Sequence, residues 1–597
     1  LWGQRYPRAL YHLVTSTPES IEKIGADELL YADGRRRSGA YAALQTLATR
    51  EFAFAVVGSL TDPARAEELA AKFSARLDEA ALRASSRDHW RHLTRGIRLE
   101  RSDIGSSDFG TSDFGKSDAR KSDSGESDAA GDLDAVNTIF PWLVHDAMVH
   151  FTVPHGLEQY TGGAWGTRDV CQGPLELFLT LEHDAPAREL LRILFAQQYV
   201  QSGDWPQWFM LEPYSAIQSR EAHGDVIVWP LKALCDYVEA TGDFAFLDES
   251  APWQREDNLE RTADAAPIAT HIEKLMATVR QRFIPGTHLI RYGNGDWNDS
   301  LQPVDPAKRD WMVSSWTVAL LYEQLCRYAE ILRRAGRGDG SAEEQLATAI
   351  REDFNRFLIR DGTVAGYGVF SPAGGLPELL FHPADRRTGV SYSLLPMTQA
   401  ILGALFTPAQ TRHHLDIIRR RLRFADGVRL MDRPIAYHGG PQTLFQRAES
   451  AAFFGREIGL MYTHAHLRHA QAMAILGEAS DMWDALLRVN PVALTARLPE
   501  ASLRQCNAYF SSSDAAFCDR YQASAEWARV SERTITVDGG WRIYSSGPGL
   551  YVNVLIGHAL GVRRRFGTRV VRPSLPDSLR GVQLSWNGRL VPGMPPQ

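Results

Sequence analysis

The stretch Asp310–Ala335, DWMVSSWTVALLYEQLCRYAEILRRA, decides how the rest of this chain is read. Its apolar residues Trp316, Leu320, Leu321, Leu325 and Tyr328 recur at the three- and four-residue spacing that puts them on one helical face. The same periodicity returns at Pro141–Phe151, Leu175–Val200, Val226–Thr241, Ala269–Phe283, Ala342–Leu358, Leu394–Leu405, Ala451–Leu476 and Pro548–Leu560. Between these helices lie loops rich in glycine and aromatics: Tyr160–Gly166, Gly203–Tyr214, Tyr292–Leu301, Tyr437–Thr443 and Tyr544–Gly549. A mainly α fold is expected, an (α/α)6 toroid of antiparallel helix pairs. No repeat of the length that builds an open solenoid is visible.

The flanks differ in character. Glu51–Leu60, EFAFAVVGSL, reads as a buried strand, and Thr61 and Asp62 are capping candidates for a helix that opens at Pro63. Between 102 and 128 a Ser-Asp pair returns every five residues, a period that fits neither helix nor strand, so this segment reads as a solvated insertion. The tail Thr568–Val591 is proline-rich and strand-like, with Trp586-Asn587-Gly588 a hairpin candidate. The expected division is a β remnant over 1–60, a helical linker with its insertion over 61–134, a helical domain over 135–565 and a β appendage over 566–597.

Composition narrows the classes. Of 597 residues, 44% are hydrophobic and 23% charged, ample for a large core. The formal charge of −7 argues against a duplex nucleic-acid binder. The five cysteines, Cys171, Cys235, Cys326, Cys506 and Cys518, are scattered without a CxxC pair, so neither a disulfide framework nor a zinc site is indicated. A reducing, cytoplasmic location is expected, with no membrane span. The chain opens at Leu1 rather than Met, which suggests a piece of a longer protein.

Three loops carry candidate chemistry. In Tyr292–Leu301, YGNGDWNDSL, Asp296 and Asp299 flank Trp297 in a glycine-rich segment. An indole face stacks on a sugar ring, and a desolvated carboxyl stays protonated as a general acid. Read without catalysis, the same loop is an Asx turn capped by Asp296 and Asn298. In Gly162–Gly173, GGAWGTRDVCQG, the residues Trp165, Arg168, Asp169 and Gln172 offer fixed donors and acceptors for hydroxyls, or else an Arg-Asp pair that steadies a loop. The run Tyr462–His469 places His464, His466 and His469 on a helix without the spacing and acidic partner of a metal site. Ser545-Ser546-Gly547 opens the next helix as an anion cradle or an ordinary cap. No GxxxxGK[ST], strand-borne GxGxxG or GxSxG motif is present.

Taken together, these loops resemble glycoside hydrolase family 94, the inverting glycoside phosphorylases, over roughly 135–580. GDWNDSL is similar to the catalytic loop, whose second aspartate is the general acid, here Asp299. WGTRD is similar to the donor-sugar segment and points to Asp169. YTH resembles the segment whose histidine contacts phosphate and points to His464, and YSSGPG resembles the phosphate loop and points to Ser546 and Gly547. The resemblance implies Asp299 as catalytic acid, with Trp165, Arg168, Asp169, Gln172, Asp296 and Trp297 binding sugar. His464, Ser546 and Gly547 would bind phosphate.

It further implies a β-linked gluco-oligosaccharide substrate, inorganic phosphate as co-substrate, no metal or other cofactor, and a homodimer as in many members. The phrases HFTVPHGLEQYTGGAWGTRDVCQGP and YFSSSDAAFCDRYQASAEW look most like the β-1,2-glucan branch. Cellobiose-type members carry an arginine in the Gly-rich approach to the Arg-Asp pair, where this chain has Gly163, and a phosphate-contacting arginine further upstream, where it has Thr152; phosphate neutralisation would then rest on His464 with another cation such as Arg447 or Arg456. The family's large N-terminal β-sandwich would survive here only as a remnant. Two rival readings stand. One is an inverting hydrolase using Glu158, Glu212 or Glu449 as base. The other is a weakly active glycan-binding part of a larger synthase.

Overall fold

In the computed structural model of the chain, residues 6–37, 42–101, 129–152, 164–212, 214–450, 459–540 and 546–592 are described, so the 102–128 insertion falls outside. Helices dominate. The chain forms two compact units, Leu1–His92 and Leu93–Gln597.

In the second unit, six helices touch one another in closed sequence. They are α2 (Gly173–Thr180), α4 (Trp229–Thr241), α6 (Ser315–Arg334), α8 (Leu394–Leu402), α10 (Thr463–Leu476) and α12 (Gly547–Asn553), and α12 returns onto α2. A second set lies against them. α1 (Ala129–Thr152) packs on α2 and α12, α3 (Asp184–Phe195) on α2 and α4, α7 (Ser341–Phe357) on α6, α9 (Pro408–Ile417) on α8, and α11 (Ala479–Arg488) on α10. The helix α5 (Ile268–Gln281) packs on the hairpin strand Arg261–Pro267.

Sequence explains which helix belongs to which set. α6 buries residues all round its circumference, from Trp316 and Val318 to Leu321, Tyr322 and Gln324, so it must lie between neighbours. α3 and α11 bury one stripe each, Leu190, Leu191, Leu194 in the first and Met482, Leu486, Leu487 in the second. The expected single helix over Leu175–Val200 is a hairpin of α2 and α3. Glu182 takes a left-handed φ of 55°, and Arg95 donates to the carbonyls of Leu181 and Glu182 at 2.7 and 2.8 Å, so the chain turns there. The helix expected from Asp310 begins only at Ser315, because Met312–Ser314 pairs as a strand with Tyr367–Val369.

Most of the candidate loops lead directly into the N-terminal ends of the inner helices. Gly166–Gln172 precedes α2, Tyr462 precedes α10 and Ser546 precedes α12; His223–Val228, which the sequence did not single out, precedes α4. At the C-terminal side, Val582–Trp586 pairs with Arg98–Arg101 and with Arg589–Leu590. Asn587 and Gly588, at φ 51° and 72°, make the expected tight hairpin turn.

In the first unit, Leu10–Val14 pairs antiparallel with Ala55–Ser59, and Ile21–Gly25 with Ala43–Thr46. The helix Pro63–Ala75 opens as expected, the Asp62 carboxylate accepting from the Ala64 N–H at 3.1 Å.

Candidate active site

The loop Tyr292–Leu301 is stitched to a segment far back in the chain. The Gly224 N–H donates to the Gly295 carbonyl at 2.8 Å, and the His223 imidazole lies flat on Gly295, where a Cβ would stand 3.1 Å from the ring. Gly295 also holds φ at 149°, so a glycine is required twice over. The Asp296 carboxylate accepts from the Asn298 N–H at 2.9 Å, the Ser314 hydroxyl at 2.7 Å and the Tyr367 hydroxyl at 3.2 Å. It is 1% exposed, and burial lifts its pKa to about 7. Asp296 therefore shapes the loop instead of facing sugar, a correction to the expected role. Its oxygens are already filled by protein donors.

Asp299, three residues on, faces a cavity and keeps 39% of its side chain exposed. Arg168 donates to it through Nη2. The other guanidinium nitrogen, Nη1, donates to the Asp296 carbonyl at 2.7 Å and to Asp225 at 3.3 Å. Asp225 in turn accepts from the Trp229 indole at 2.9 Å. Arg168 keeps 7% of its side chain exposed, and its fork is engaged by Asp299, Asp225 and the Asp296 carbonyl.

Burial alone would lift the Asp299 carboxyl, but Arg168, with Arg447 nearby, more than offsets it and holds the pKa below the ordinary carboxylate value. The resting group is thus ionised. To act as an acid it must take up a proton as its hold on Arg168 loosens.

His223 completes this assembly. Its Nδ1 lies 2.9 Å from the Asp296 carbonyl and 3.4 Å from Asp299. A carbonyl only accepts, so Nδ1 carries the proton and Nε2 accepts from the Gln302 amide at 3.0 Å. Burial and the nearby Arg168 push its pKa down, which keeps the ring neutral. Neither His223 nor Asp225 nor Gln302 was predicted from sequence. Their only local signal is His-Gly-Asp just ahead of a helix, which has no spacing of its own to mark it.

In the neighbouring loop, Asp169 is half-buried and burial raises its pKa to about 6 despite the adjacent Arg168. Gln172 is buried, its amide donating to the Arg168 carbonyl at 3.1 Å. Trp165 is corrected: at 1% exposure it packs edge-on against Phe209 and donates its indole N–H to the Phe151 carbonyl at 2.9 Å. Trp205 is likewise in the core, its N–H on the Leu194 carbonyl at 2.9 Å.

Beside the same loop, the Ser546 hydroxyl lies 3.0 Å from His464 Nδ1, and the His464 ring meets Trp297 edge-on at 5.1 Å. Burial, with Arg468 and Lys232 nearby, pushes the His464 pKa well down, so it meets a ligand as a neutral ring. The start of α12 locks against the start of α2. A Cβ on Gly173 would stand 2.5 Å from the Ser546 carbonyl, and Gly547 follows as the first residue of α12.

His466 is structural, accepting from the Val428 N–H at 3.1 Å and facing the Ala485 carbonyl at 2.8 Å. The Thr152 hydroxyl donates to the Val149 carbonyl at 3.0 Å. Gly163, Glu158, Arg456 and Ser545 lie outside the described residues.

Two cavities flank the loop. One, of about 430 Å³, is lined by Gln207, Trp208, Asn294, Asp299, Arg309 and Arg447. The other, of about 330 Å³, is lined by Gln172, Glu176, Lys232, Trp297, His464 and Arg468. In the second, Glu176 is paired with Lys232 at 3.0 Å and Arg468 at 2.5 Å, so its charges are largely matched. Asp299 and the Trp297–His464 pair thus line different cavities.

The chain is similar in sequence to several known proteins. Over 450 residues the chain is 45% identical to a 1,2-beta-oligoglucan phosphorylase of Listeria innocua serovar 6a, covering 75% of this chain and 41% of that protein. It is 26% identical to a 3-O-beta-D-glucopyranosyl-beta-D-glucuronide phosphorylase of Paenibacillus borealis, covering 65% of this chain and 46% of that one. It is 21% identical to the cyclic beta-(1,2)-glucan synthase NdvB of Rhizobium meliloti, covering 74% and 15%. The chain therefore spans less than half the length of each of these relatives. Residues 136–516, more than half of the chain, match the glycosyl hydrolase 94 superfamily catalytic domain, and the chain belongs to that superfamily.

Proposed function

We propose that the chain catalyses inverting phosphorolysis of β-linked gluco-oligosaccharides, β-1,2-linked in particular, and releases α-glucose 1-phosphate. Asp299 gives its proton to the glycosidic oxygen while phosphate attacks the anomeric carbon from the opposite face, so the C–O bond breaks with inversion. Phosphate is already a nucleophile, and no carboxylate base is required. One observation carries this reading. His464 and Ser546, 82 residues apart in sequence, meet beside Trp297 on the loop that bears Asp299. They form an anion-type pair beside the loop that carries the proposed acid.

Two of the expected hydrolytic bases fit poorly. Glu449 accepts from the Thr443, Leu444 and Phe445 N–H groups at 2.6, 2.8 and 3.0 Å, a capping role. Glu212 accepts from the Ser215 hydroxyl at 2.6 Å. Hydrolysis keeps a single observation in its favour, that Glu221 lines the same cavity as Asp299.

The reading extends to the architecture. The closed sequence of α2, α4, α6, α8, α10 and α12 with the second set outside it supports an (α/α)6 toroid over 135–565, flanked by a sandwich remnant, a linker and a C-terminal β appendage. Phosphate is the only co-substrate required, with no metal or cofactor, and a cytoplasmic homodimer is the expected form. Incubating the protein with β-1,2-, β-1,3- and β-1,4-linked oligosaccharides, with and without phosphate, tests the proposal. Phosphate-dependent formation of α-glucose 1-phosphate from the β-1,2 series supports it. Sugar release at the same rate without phosphate refutes it and favours hydrolysis.

A further inference from the structure

Trp208 sits on the middle strand of a three-stranded sheet, Trp165–Gly166, Trp208–Phe209 and Gln218–Ser219. Successive strand residues face opposite ways. Phe209 and Trp165 are paired and both point into the core, at 0% and 1% exposure, so Trp208 is turned to the other face and keeps 36%. Its own cross-strand neighbours are Gly166 and Ser219, which carry too little bulk to cover an indole. The uncovered ring forms a wall of the 430 Å³ cavity that also contains Asp299. Two other lining residues hold polar atoms without a hydrogen-bond partner in the protein, Asn294 Oδ1 and Arg309 Nε.

The position of Asp299 assigns a direction to this cavity. A general acid stands at the leaving oxygen, and the nucleophile enters from the opposite face of the anomeric carbon. His464 lines a different cavity, together with Trp297, so the cavity of Asp299 and Trp208 is assigned to the leaving-group side. An aromatic platform beside amide and guanidinium groups is the chemistry that holds a neutral pyranose, which offers an apolar C–H face and a rim of hydroxyls.

We infer that Trp208 is the stacking platform for a glucosyl residue on the leaving-group side of the scissile bond, and that it sets the affinity for that part of the oligosaccharide. The inference rests on the phosphorolytic reading and is separable from it.

The experiment compares wild type, Trp208→Ala and Trp208→Phe in both directions, phosphorolysis of β-1,2-linked di- and trisaccharides and synthesis from α-glucose 1-phosphate with glucose or disaccharide acceptors. In Trp208→Ala the KM for oligosaccharide and for acceptor rises about tenfold or more, as loss of a stacked aromatic predicts. The KM values for phosphate and α-glucose 1-phosphate stay within about twofold, because those ligands are assigned to the other cavity. Trp208→Phe restores most of the loss, which separates stacking from general damage to the sheet. An unchanged acceptor KM overturns the inference, and so does an equal rise for α-glucose 1-phosphate. If wild type turns out to be phosphate-independent, the phosphorolytic reading fails. Calorimetric binding of the trisaccharide then decides Trp208 by itself, since equal affinity in wild type and Trp208→Ala overturns the platform.

Discussion

Arg168→Lys isolates what holds Asp299. The substitution keeps a positive charge near Asp225 and Asp299 but removes the planar fork, which engages Asp299 through one nitrogen and Asp225 and the Asp296 carbonyl through the other. An ammonium on a flexible stem cannot reproduce these contacts together. A hydrogen bond to a charged group contributes about 1.5–3 kcal/mol, and about 1.4 kcal/mol corresponds to one pKa unit. Because Lys retains part of the attraction, the Asp299 pKa should rise by about one unit, the lower end of that range.

The sign follows from the role. Arg168 favours the ionised carboxylate, so loosening it raises the pKa, and the acid then stays protonated to higher pH. The basic limb of the rate profile should therefore move up by about one pH unit, while kcat at its optimum falls by roughly a hundredfold as the carboxyl loses its fixed position. Initial rates of α-glucose 1-phosphate release at saturating oligosaccharide and phosphate, from about pH 5 to pH 9, would measure both effects. Thermal melts at each pH would check that the variant stays folded. A basic limb that moves down, or an unaltered profile with full kcat, refutes the idea that Arg168 governs the acid.

Asp296→Asn should leave the oligosaccharide KM within about twofold, since the carboxylate touches only protein. It should also flatten the pH dependence of stability. A carboxyl whose folded pKa is about 7 binds its proton more tightly in the native state than in the unfolded one, so it makes wild-type stability fall as pH rises from about 4 to about 7, and urea unfolding across that window should show a shallower slope in the variant. Trp165→Phe should lose about 1–3 kcal/mol of stability in urea through its missing N–H bond and ring volume, with sugar affinity unchanged; a sugar-specific defect would return Trp165 to the binding surface. Ser546→Ala should raise the phosphate KM about three- to tenfold and leave the oligosaccharide KM alone, and the reverse pattern would place Ser546 with the sugar.

The helical scaffold was legible because its signal is local. A stripe such as Trp316, Leu320, Leu321 and Leu325 needs no partner to be recognised, and Asn587-Gly588 dictates its turn within two residues. Errors fell where the deciding residue sits elsewhere in the chain. Leu175–Val200 reads as one helix until Arg95, far upstream, is seen fixing the turn at Glu182. In the same way strand parity makes Trp165 a core residue and Trp208 a cavity residue, and parity can be assigned only once the pairing of Trp165 with Phe209 is known.

The catalytic loop sharpens the point. Asp296 and Asp299 stand three residues apart in one motif, and composition gives each the same claim to be the acid. Their difference comes from four long-range side chains: Ser314 and Tyr367 close over Asp296, while Arg168 and His223 reach Asp299 and leave it open to the cavity. Loops at the starts of successive inner helices converge here, so each motif is written locally while the work of each residue is assigned by the loop beside it. His223 arrives from 73 residues before Asp296 and fixes the loop through that residue's carbonyl, a group that no side-chain motif encodes. Asp299, the proposed acid, is named by its own loop, but the groups that set its proton affinity belong to the loops ahead of α2 and α4. Substitutions in those two loops should therefore shift the pH profile more than substitution of Asn298 or Ser300, the neighbours of Asp299 in sequence.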